Sequence, residues 1–422
     1  MNIPKLISSK KRIYLDHASS TPLDTLVRVL MEQISKNTFG NPSALHKEGL
    51  EAKKVVEESR KSIAGVLRCH ADEIIFTSGG TESNNLAILG AVQFAKSSAR
   101  SDLAEKNMRP HIVTTNIEHS SVLEVCKELE KSGVEVTYVP AKENGIVDAK
   151  DVIKAIKENT ILVSVMYANN EIGTIQPIQE ITKGIRHWRK TQSISSPIHK
   201  VGLRGVVFPN FHIDACQAVN YLNMNTEQLG VDMISFNGSK IYGPKGVGAL
   251  YKKRDVEISP IMHGGDQESG LRSGTENVVS IAGFAKAMDM VEKIKGKEIT
   301  RLIKLRDYLF EKMHKEFSNV IINGDEQNRL PNNVNFSLTN ISSELLVIEL
   351  DAKGIAVSAK SACKSDDPDE SYVLRAIRSQ SIPAQAGNEE EGSLRISLGR
   401  NTQKKDVEYF IESLKKILTK YK

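Results

Sequence analysis

Short apolar runs rich in β-branched residues alternate with longer amphipathic stretches through most of this chain, and that alternation limits the folds open to it. Residues 74–78 read as a strand and 81–96 as a helix. Strand 111–116 and helix 121–131 follow, then strand 135–140 and helix 148–158, then strand 160–168 and helix 178–190. Three more strands are expected at 211–215, 233–236 and 248–253. A βαβα rhythm of this kind predicts an α/β fold with a mostly parallel sheet and helices on both faces.

The rhythm changes near position 296. A helix over 300–317 carries Leu302, Leu305, Leu309 and Met313 at helical spacing. Strands at 332–338 and 355–358 flank a helix at 343–353, and strand 394–398 precedes a last amphipathic helix at 404–421. The expectation is a large domain over 16–295 and a smaller α+β domain built from 1–15 and 296–422. A length of 422 residues suits such a division. Residues 193–210 and 379–392 show neither period and read as surface insertions.

The charge is nearly balanced, with 57 Lys and Arg against 52 Asp and Glu, so a dedicated nucleic-acid or membrane-surface protein is not expected. Cys69, Cys126, Cys216 and Cys363 lie far apart with no CxxC, which argues against a disulfide scaffold and a zinc finger. No run approaches the length of a membrane helix, and the first residues carry no long apolar core. A soluble protein of a reducing compartment, the cytoplasm, is the expectation, with no metal.

Several segments place reactive residue types where a strand ends. Ser78-Gly79-Gly80-Thr81-Glu82-Ser83-Asn84-Asn85 follows a strand and opens a helix. It suits an anion held by free N–H groups at a helix start, and it also suits an ordinary capped βα turn. In Asn237-Gly238-Ser239-Lys240-Ile241-Tyr242-Gly243-Pro244-Lys245-Gly246 a Lys stands within a Gly-rich turn after an apolar strand. A lysine amine kept from water suits a Schiff base, whereas Lys245 also reads as a solvated loop residue. Asp214 stands at the carboxyl end of a strand, the edge that faces the ligand crevice in an open α/β sheet. It could hold a cationic ring nitrogen or cap a following helix. His119 follows another strand, where an imidazole can stack on a ring, move protons or serve structure alone. Asn169 and Asn170 can bind a carboxylate or close a turn. Cys363 lies between small residues in a polar stretch and is a candidate reactive thiol, while Cys126 sits in an amphipathic helix and reads as core.

Together these segments resemble the cysteine desulfurases, pyridoxal-phosphate (PLP) enzymes of fold type I in the class V aminotransferase group. The resemblance runs from Tyr14-Leu15-Asp16 to Ser397-Leu398-Gly399-Arg400. It includes Phe39-Gly40-Asn41-Pro42-Ser43, Thr77 to Ser83, Asn169-Asn170-Glu171-Ile172-Gly173 and Lys240 to Gly246. Met262-His263-Gly264-Gly265, Arg272-Ser273-Gly274-Thr275 and Ser371-Tyr372-Val373-Leu374-Arg375 complete it. The long Cys363 stretch resembles the desulfurase group with a mobile loop.

The resemblance implies that Lys240 forms the Schiff base and later shuttles the Cα proton. It implies that Asp214 pairs with the pyridinium nitrogen, Gln217 bonds the ring 3-oxygen, and His119 stacks on the ring and assists proton transfer. Gly80 and Thr81 would hold the phosphate, with Asn237 and Ser239 beside them and Thr275 reaching in from the other subunit of a homodimer. Asn41, Asn170 and Arg395 would bind the substrate. Cys363 would take the sulfur of L-cysteine as a persulfide, releasing L-alanine, and pass it to an acceptor for iron–sulfur cluster assembly or tRNA thiolation. This chain departs from the family at Ser239, where His is usual, and at Asn237, where Ser or Thr is common. Both residues still offer donors. A selenocysteine lyase, or another class V lyase or aminotransferase, is the alternative within the same fold. A silent scaffold is the alternative outside catalysis.

Overall fold

The computed structural model describes residues 12–97, 108–195, 208–359, 371–378 and 391–421. In chain order the first half contains β1 (Ile13–Tyr14), α1 (Thr25–Asn37), α2 (Lys47–Leu67), β2 (Ile74–Thr77), α3 (Gly80–Ser97), β3 (His111–Thr115), α4 (Ser120–Lys131), β4 (Glu135–Val139), α5 (Ala149–Lys154), β5 (Thr160–Met166) and α6 (Ile178–Ser195). The second half adds β6 (Asn210–Asp214), α7 (Thr226–Leu229), β7 (Met233–Asn237), β8 (Gly248–Lys252), α8 (Val278–Glu316), β9 (Val320–Ile322), β10 (Asn333–Thr339), α9 (Ser343–Ala352), β11 (Ile355–Ala356), α10 (Tyr372–Arg378), β12 (Glu391–Ser397) and α11 (Lys404–Lys420).

The main sheet has seven strands in the order β2-β8-β7-β6-β5-β3-β4. The neighbours from β7 to β4 run parallel, and β8 alone runs against them. Because β8 is antiparallel to both β7 and β2, the carboxyl ends of β2, β3, β5, β6 and β7 lie on one edge. These strands are buried along their whole length, as expected where helices cover both faces. The expected mostly parallel α/β architecture is what the structure shows. No helix among the described residues is long and apolar enough to cross a membrane.

A second core gathers around the antiparallel sheet β12-β10-β9 and the short parallel pair β1-β11. Leu15 joins it with Phe336, Leu394 and Phe410. Val373, Leu374 and Ile377 of α10 instead join the core of the main sheet.

The helix expected at 300–317 is part of α8, which begins at Val278 and runs for 39 residues. Its first half buries Ile281, Phe284 and Met288 in the large core, and its second half buries Leu302, Leu309 and Met313 in the other. Polar residues around Gly296 separate the two apolar stripes and hide the continuity in the sequence. An exposed Gly within a helix costs only about 1 kcal/mol relative to Ala, which the burial at either end outweighs.

Both insertions are shorter than expected. Helix α6 continues through Ser195, and β6 starts at Asn210, so 193–195 and 210 belong to regular elements. Phe208 is buried in the apolar core that also holds Met233 and Leu250. Residues 196–207 of this insertion lie outside the described residues. At the other insertion β12 already begins at Glu391, and pairing across the whole of β10 explains the extension.

Candidate active site

Five strand ends supply the site. Beyond β2 the chain turns through Ser78 and Gly79 directly into α3, and Gly80 is its first residue. A Cβ at Gly80 would stand 2.4 Å from Cys216 Sγ and 3.2 Å from Asn237 Nδ2, so only Gly lets this helix start sit against β6 and β7. Glu82, in the first turn, accepts from the Ser78 N–H at 2.8 Å and from Arg272 Nε at 2.8 Å. Burial raises its carboxyl, but Arg272 and Ser78 outweigh burial and hold it below its ordinary value.

Asp214 ends β6, and the residues after it form turns rather than a helix, so it is not a helix cap. Its Oδ1 accepts the Cys216 N–H at 2.9 Å, and its Oδ2 accepts Asn84 Nδ2 at 2.8 Å. Burial alone would raise this carboxyl. His119, the Cys216 amide, Asn84 and Lys240 together outweigh burial and hold it below its ordinary value.

His119 caps α4 and accepts the Ser121 N–H on Nδ1 at 3.1 Å. Ser121 Oγ accepts from Asn84 at 2.8 Å and stands 2.8 Å from the same Nδ1, to which it donates. Asn84 thus joins Asp214 to His119 through Ser121, and the proton of a neutral His119 rests on Nε2. Burial, reinforced by Lys240, lowers His119 to about 4.

Lys240 follows β7, its carbonyl held by Asn220 Nδ2 at 2.6 Å and the preceding carbonyl by the Thr21 N–H at 2.9 Å. Gln217 is fixed through Nε2 to the Ala18 carbonyl at 2.9 Å. Arg395, on β12 of the second sheet, crosses to the main sheet. Its Nη1 donates to the Asn170 carbonyl at 3.0 Å, and its Nη2 pairs with Asp16 Oδ1 at 2.8 Å.

These groups enclose a cavity of about 290 Å3. Gly80, Thr81, Asn237 and Ser239 line it, as do His119, Asp214, Gln217 and Lys240, together with Asn170 and Arg395. Asn41 and Thr275 are exposed and do not line it. Asn41 closes its own turn by accepting the Ser43 N–H at 3.0 Å, while the Thr275 segment reaches the first turn of α3 through Arg272. Cys363 lies outside the described residues.

Asn84, Ser121, Asp16 and Cys216 also belong to the site, and sequence reasoning gave them no role. Asn84 had a signal: it follows Gly80 by one helical turn on the face that buries Ala87 and Ala91. A polar residue on a buried face needs a partner.

The residues present fit pyridoxal phosphate. Asn170 Oδ1, Asn237 Oδ1 and Arg395 Nε are buried at the cavity without a partner among the described residues. A helix start whose first-turn acid, Glu82, is paired with Arg272, an ionised carboxylate and a lysine make up a donor set for a cofactor with an anionic group, a cationic ring nitrogen and a carbonyl.

Comparison with known proteins decides the family. Residues 13–410 match the family Aminotransferase class-V. The protein named Cysteine desulfurase IscS from Dictyoglomus turgidum is 44% identical over 97% of this chain and 95% of its own length. The chain is a cysteine desulfurase of the class V aminotransferase family. The desulfurase named IscS of Escherichia coli O9:H4 is 40% identical over 96% of this chain and 93% of its own. Among solved structures, one titled NifS-like protein superposes with a TM-score of 0.82 at 33% identity, covering 97% of this chain and all of its own. A structure titled SspA in complex with cysteine gives 0.71 at 32% identity, over 92% of this chain and 99% of its own. The family resemblance and the desulfurase reading of the sequence hold.

The buried groups of this desulfurase also set its response to acid. Burial draws His17, His111, His119 and His212 down to about 4. Each stays neutral in the fold and gains a proton on unfolding below its ordinary 6.5. Glu118 runs the other way: burial lifts it to about 8, so the fold keeps a proton that the unfolded chain sheds above 4.5. Between pH 4.5 and 6.5 the four imidazoles outweigh the one carboxyl, and stability is expected to rise with pH. Urea unfolding of the cofactor-free chain at about pH 7 and about pH 5 checks this. Equal or greater stability at the lower pH would contradict it.

Proposed function

We propose that this desulfurase binds pyridoxal phosphate in the 290 Å3 cavity and uses it to take sulfur from L-cysteine. The observation that carries the reading is the convergence of Lys240, ionised Asp214, neutral His119 and the Gly80 helix start on one cavity. When bound, the cofactor supplies an electron sink for the substrate carbon.

The chain's own residues do the rest. Lys240 holds the cofactor through its amine and then moves the Cα proton. Asp214, kept ionised by Asn84 and the Cys216 amide, holds a proton on the ring nitrogen. His119 keeps its Nδ1 engaged by Ser121 and presents Nε2–H to the cavity. Gly80, Thr81, Asn237 and Ser239 bind the phosphate, and Gln217 the ring oxygen. Asn170 and Arg395 receive the substrate carboxylate, with Asn41 as a further substrate contact. Cys363 accepts the sulfur as an enzyme persulfide, L-alanine leaves, and the sulfur passes to an acceptor such as an iron–sulfur scaffold or a tRNA-thiolation enzyme. The related SspA structure, titled as a complex with cysteine, supports that substrate.

The proposed assembly is a homodimer in which Thr275 serves the partner's phosphate. An exposed apolar run supports it: Leu26, Val29, Phe39, Leu45 and Leu50 are all exposed, Leu45 to 91%. Asn41 sits within the same stretch. We place a large PLP domain at 16–295 and a small domain, carrying Cys363, at 1–15 and 296–422, in the cytoplasm.

Incubating the PLP-loaded protein with L-cysteine and a thiol should yield L-alanine and sulfide in equal amounts, from a species with twice the chain mass by light scattering. Pyruvate in place of alanine, or release only from selenocysteine, would overturn the reaction. Full activity from a monomer would overturn the assembly.

A further inference from the structure

Two hydroxyls just beyond the Cys363 segment reach back to the strand ends that carry the site. Ser371 and Tyr372 are the first described residues after that segment. Ser371 Oγ donates to Glu171 Oε2 at 2.5 Å, across 200 residues of sequence. Tyr372 OH donates to the Glu118 carbonyl at 2.5 Å, across 254. Neither residue lines the cavity. Both stand on a fixed base. Ser371 Oγ also accepts the Leu374 N–H at 3.3 Å, and Val373, Leu374 and Ile377 are buried in the large core.

Their partners adjoin cavity residues: Glu118 precedes His119, and Glu171 follows Asn170. The two loops are also tied to each other. Asn169 Nδ2 donates to the Ile117 carbonyl at 2.9 Å, while its Oδ1 accepts the N–H groups of Glu171 at 2.8 Å and Ile172 at 3.0 Å. From the second sheet, Asn333 and Asn335 donate to the Glu171 carbonyl at 3.0 and 3.2 Å. Glu171 is 1% exposed, and a side chain so buried depends on the donors it is given.

We propose that Ser371 and Tyr372 are positioning residues for desulfuration, tying the root of the Cys363 segment to the two loops that present His119 and Asn170. The proposal rests on reading His119, Asn170 and Cys363 as site residues. Tyr372 acts on the His119 loop and therefore on the chemical step. Ser371 acts on the Asn170 loop and therefore on substrate binding.

The test uses Tyr372→Phe, Ser371→Ala and Ser371→Thr in the full chain. Tyr372→Phe keeps the ring and should lower kcat about three- to tenfold with KM for L-cysteine little changed, the range expected for one lost hydrogen bond. Ser371→Ala should raise KM by a similar factor with a smaller change in kcat, and Ser371→Thr should restore it. Hydrogen exchange on the cofactor-free chain gives a readout apart from activity. Amides of residues 117–121 and 169–173 should exchange about three- to tenfold faster in Tyr372→Phe and Ser371→Ala, while the core of α11 keeps its rate. Unchanged exchange in those two segments overturns the proposal. So does a Ser371→Thr protein no better than Ser371→Ala, or a uniform rise in exchange with kcat and KM moving together. His119→Ala separates the two levels: full turnover in that variant would sink the site reading, while the exchange data would still decide whether the hydroxyls hold the loops.

Discussion

Lys240→Ala is expected to lower L-cysteine turnover by about 10^3-fold or more, because it removes both the amine that holds the cofactor and the base at the substrate carbon. The cavity should survive the change. Its walls are set by the Asp214–Asn84–Ser121–His119 chain and by the Gly80 helix start, none of which uses the lysine side chain as a hydrogen-bond partner in the structure. The variant should therefore still take up pyridoxal phosphate reversibly, with a shifted absorbance band. Borohydride should trap the cofactor on wild-type protein at the peptide containing Lys240, and the variant should show no trapped adduct. An adduct on Lys245 would overturn the assignment. Lys245 is exposed and lies outside the residues lining the cavity, and this separates it from Lys240.

Cys363→Ser should divide the reaction into its two halves. Without added thiol, turnover should fall by about 10^2-fold or more, since a serine hydroxyl at neutral pH does not match a thiolate as a nucleophile toward sulfur. Cofactor affinity should stay within about twofold, and L-cysteine should still perturb the cofactor spectrum, because no described residue of the cavity is altered. Mass spectrometry should find one extra sulfur on wild-type protein after a single turnover and none on the variant. The other cysteines offer no substitute. Burial raises Cys126 and Cys69 to about 12 and drives Cys216 well above its ordinary value, which leaves all three as thiols. A persulfide on Cys216 in the variant would show that the cavity itself collects sulfur.

The main sheet was legible in the sequence because most of its strands are buried on both faces and its helices keep one apolar side. Both signals depend on nearest neighbours along the chain. Helices α1 and α2 were not legible. Helix α1 turns Val27, Met31 and Ile34 toward the core, but exposed Leu26 and Val29 on its other side blur that stripe in the sequence. Helix α2 turns Gly49, Ala52, Ser59, Arg60 and Ala64 inward along with its larger apolar residues, which blurs the period. The continuity of α8 was hidden for a related reason, since each half answers to a different core.

The sequence by itself determined which strands end in reactive residues. Asp214 ends a strand and Gly80, His119, Asn170 and Lys240 each follow one within a few positions, and parallel strands must deliver such residues to one edge. Tertiary structure alone decided how they are held. Asn84 meets Asp214 across 130 residues of sequence, Arg395 meets Asp16 across 379, and Ser371 meets Glu171 across 200. Such pairs leave no period in the chain, because a hydrogen bond depends on two atoms coming within about 3 Å, and sequence spacing carries no trace of that distance.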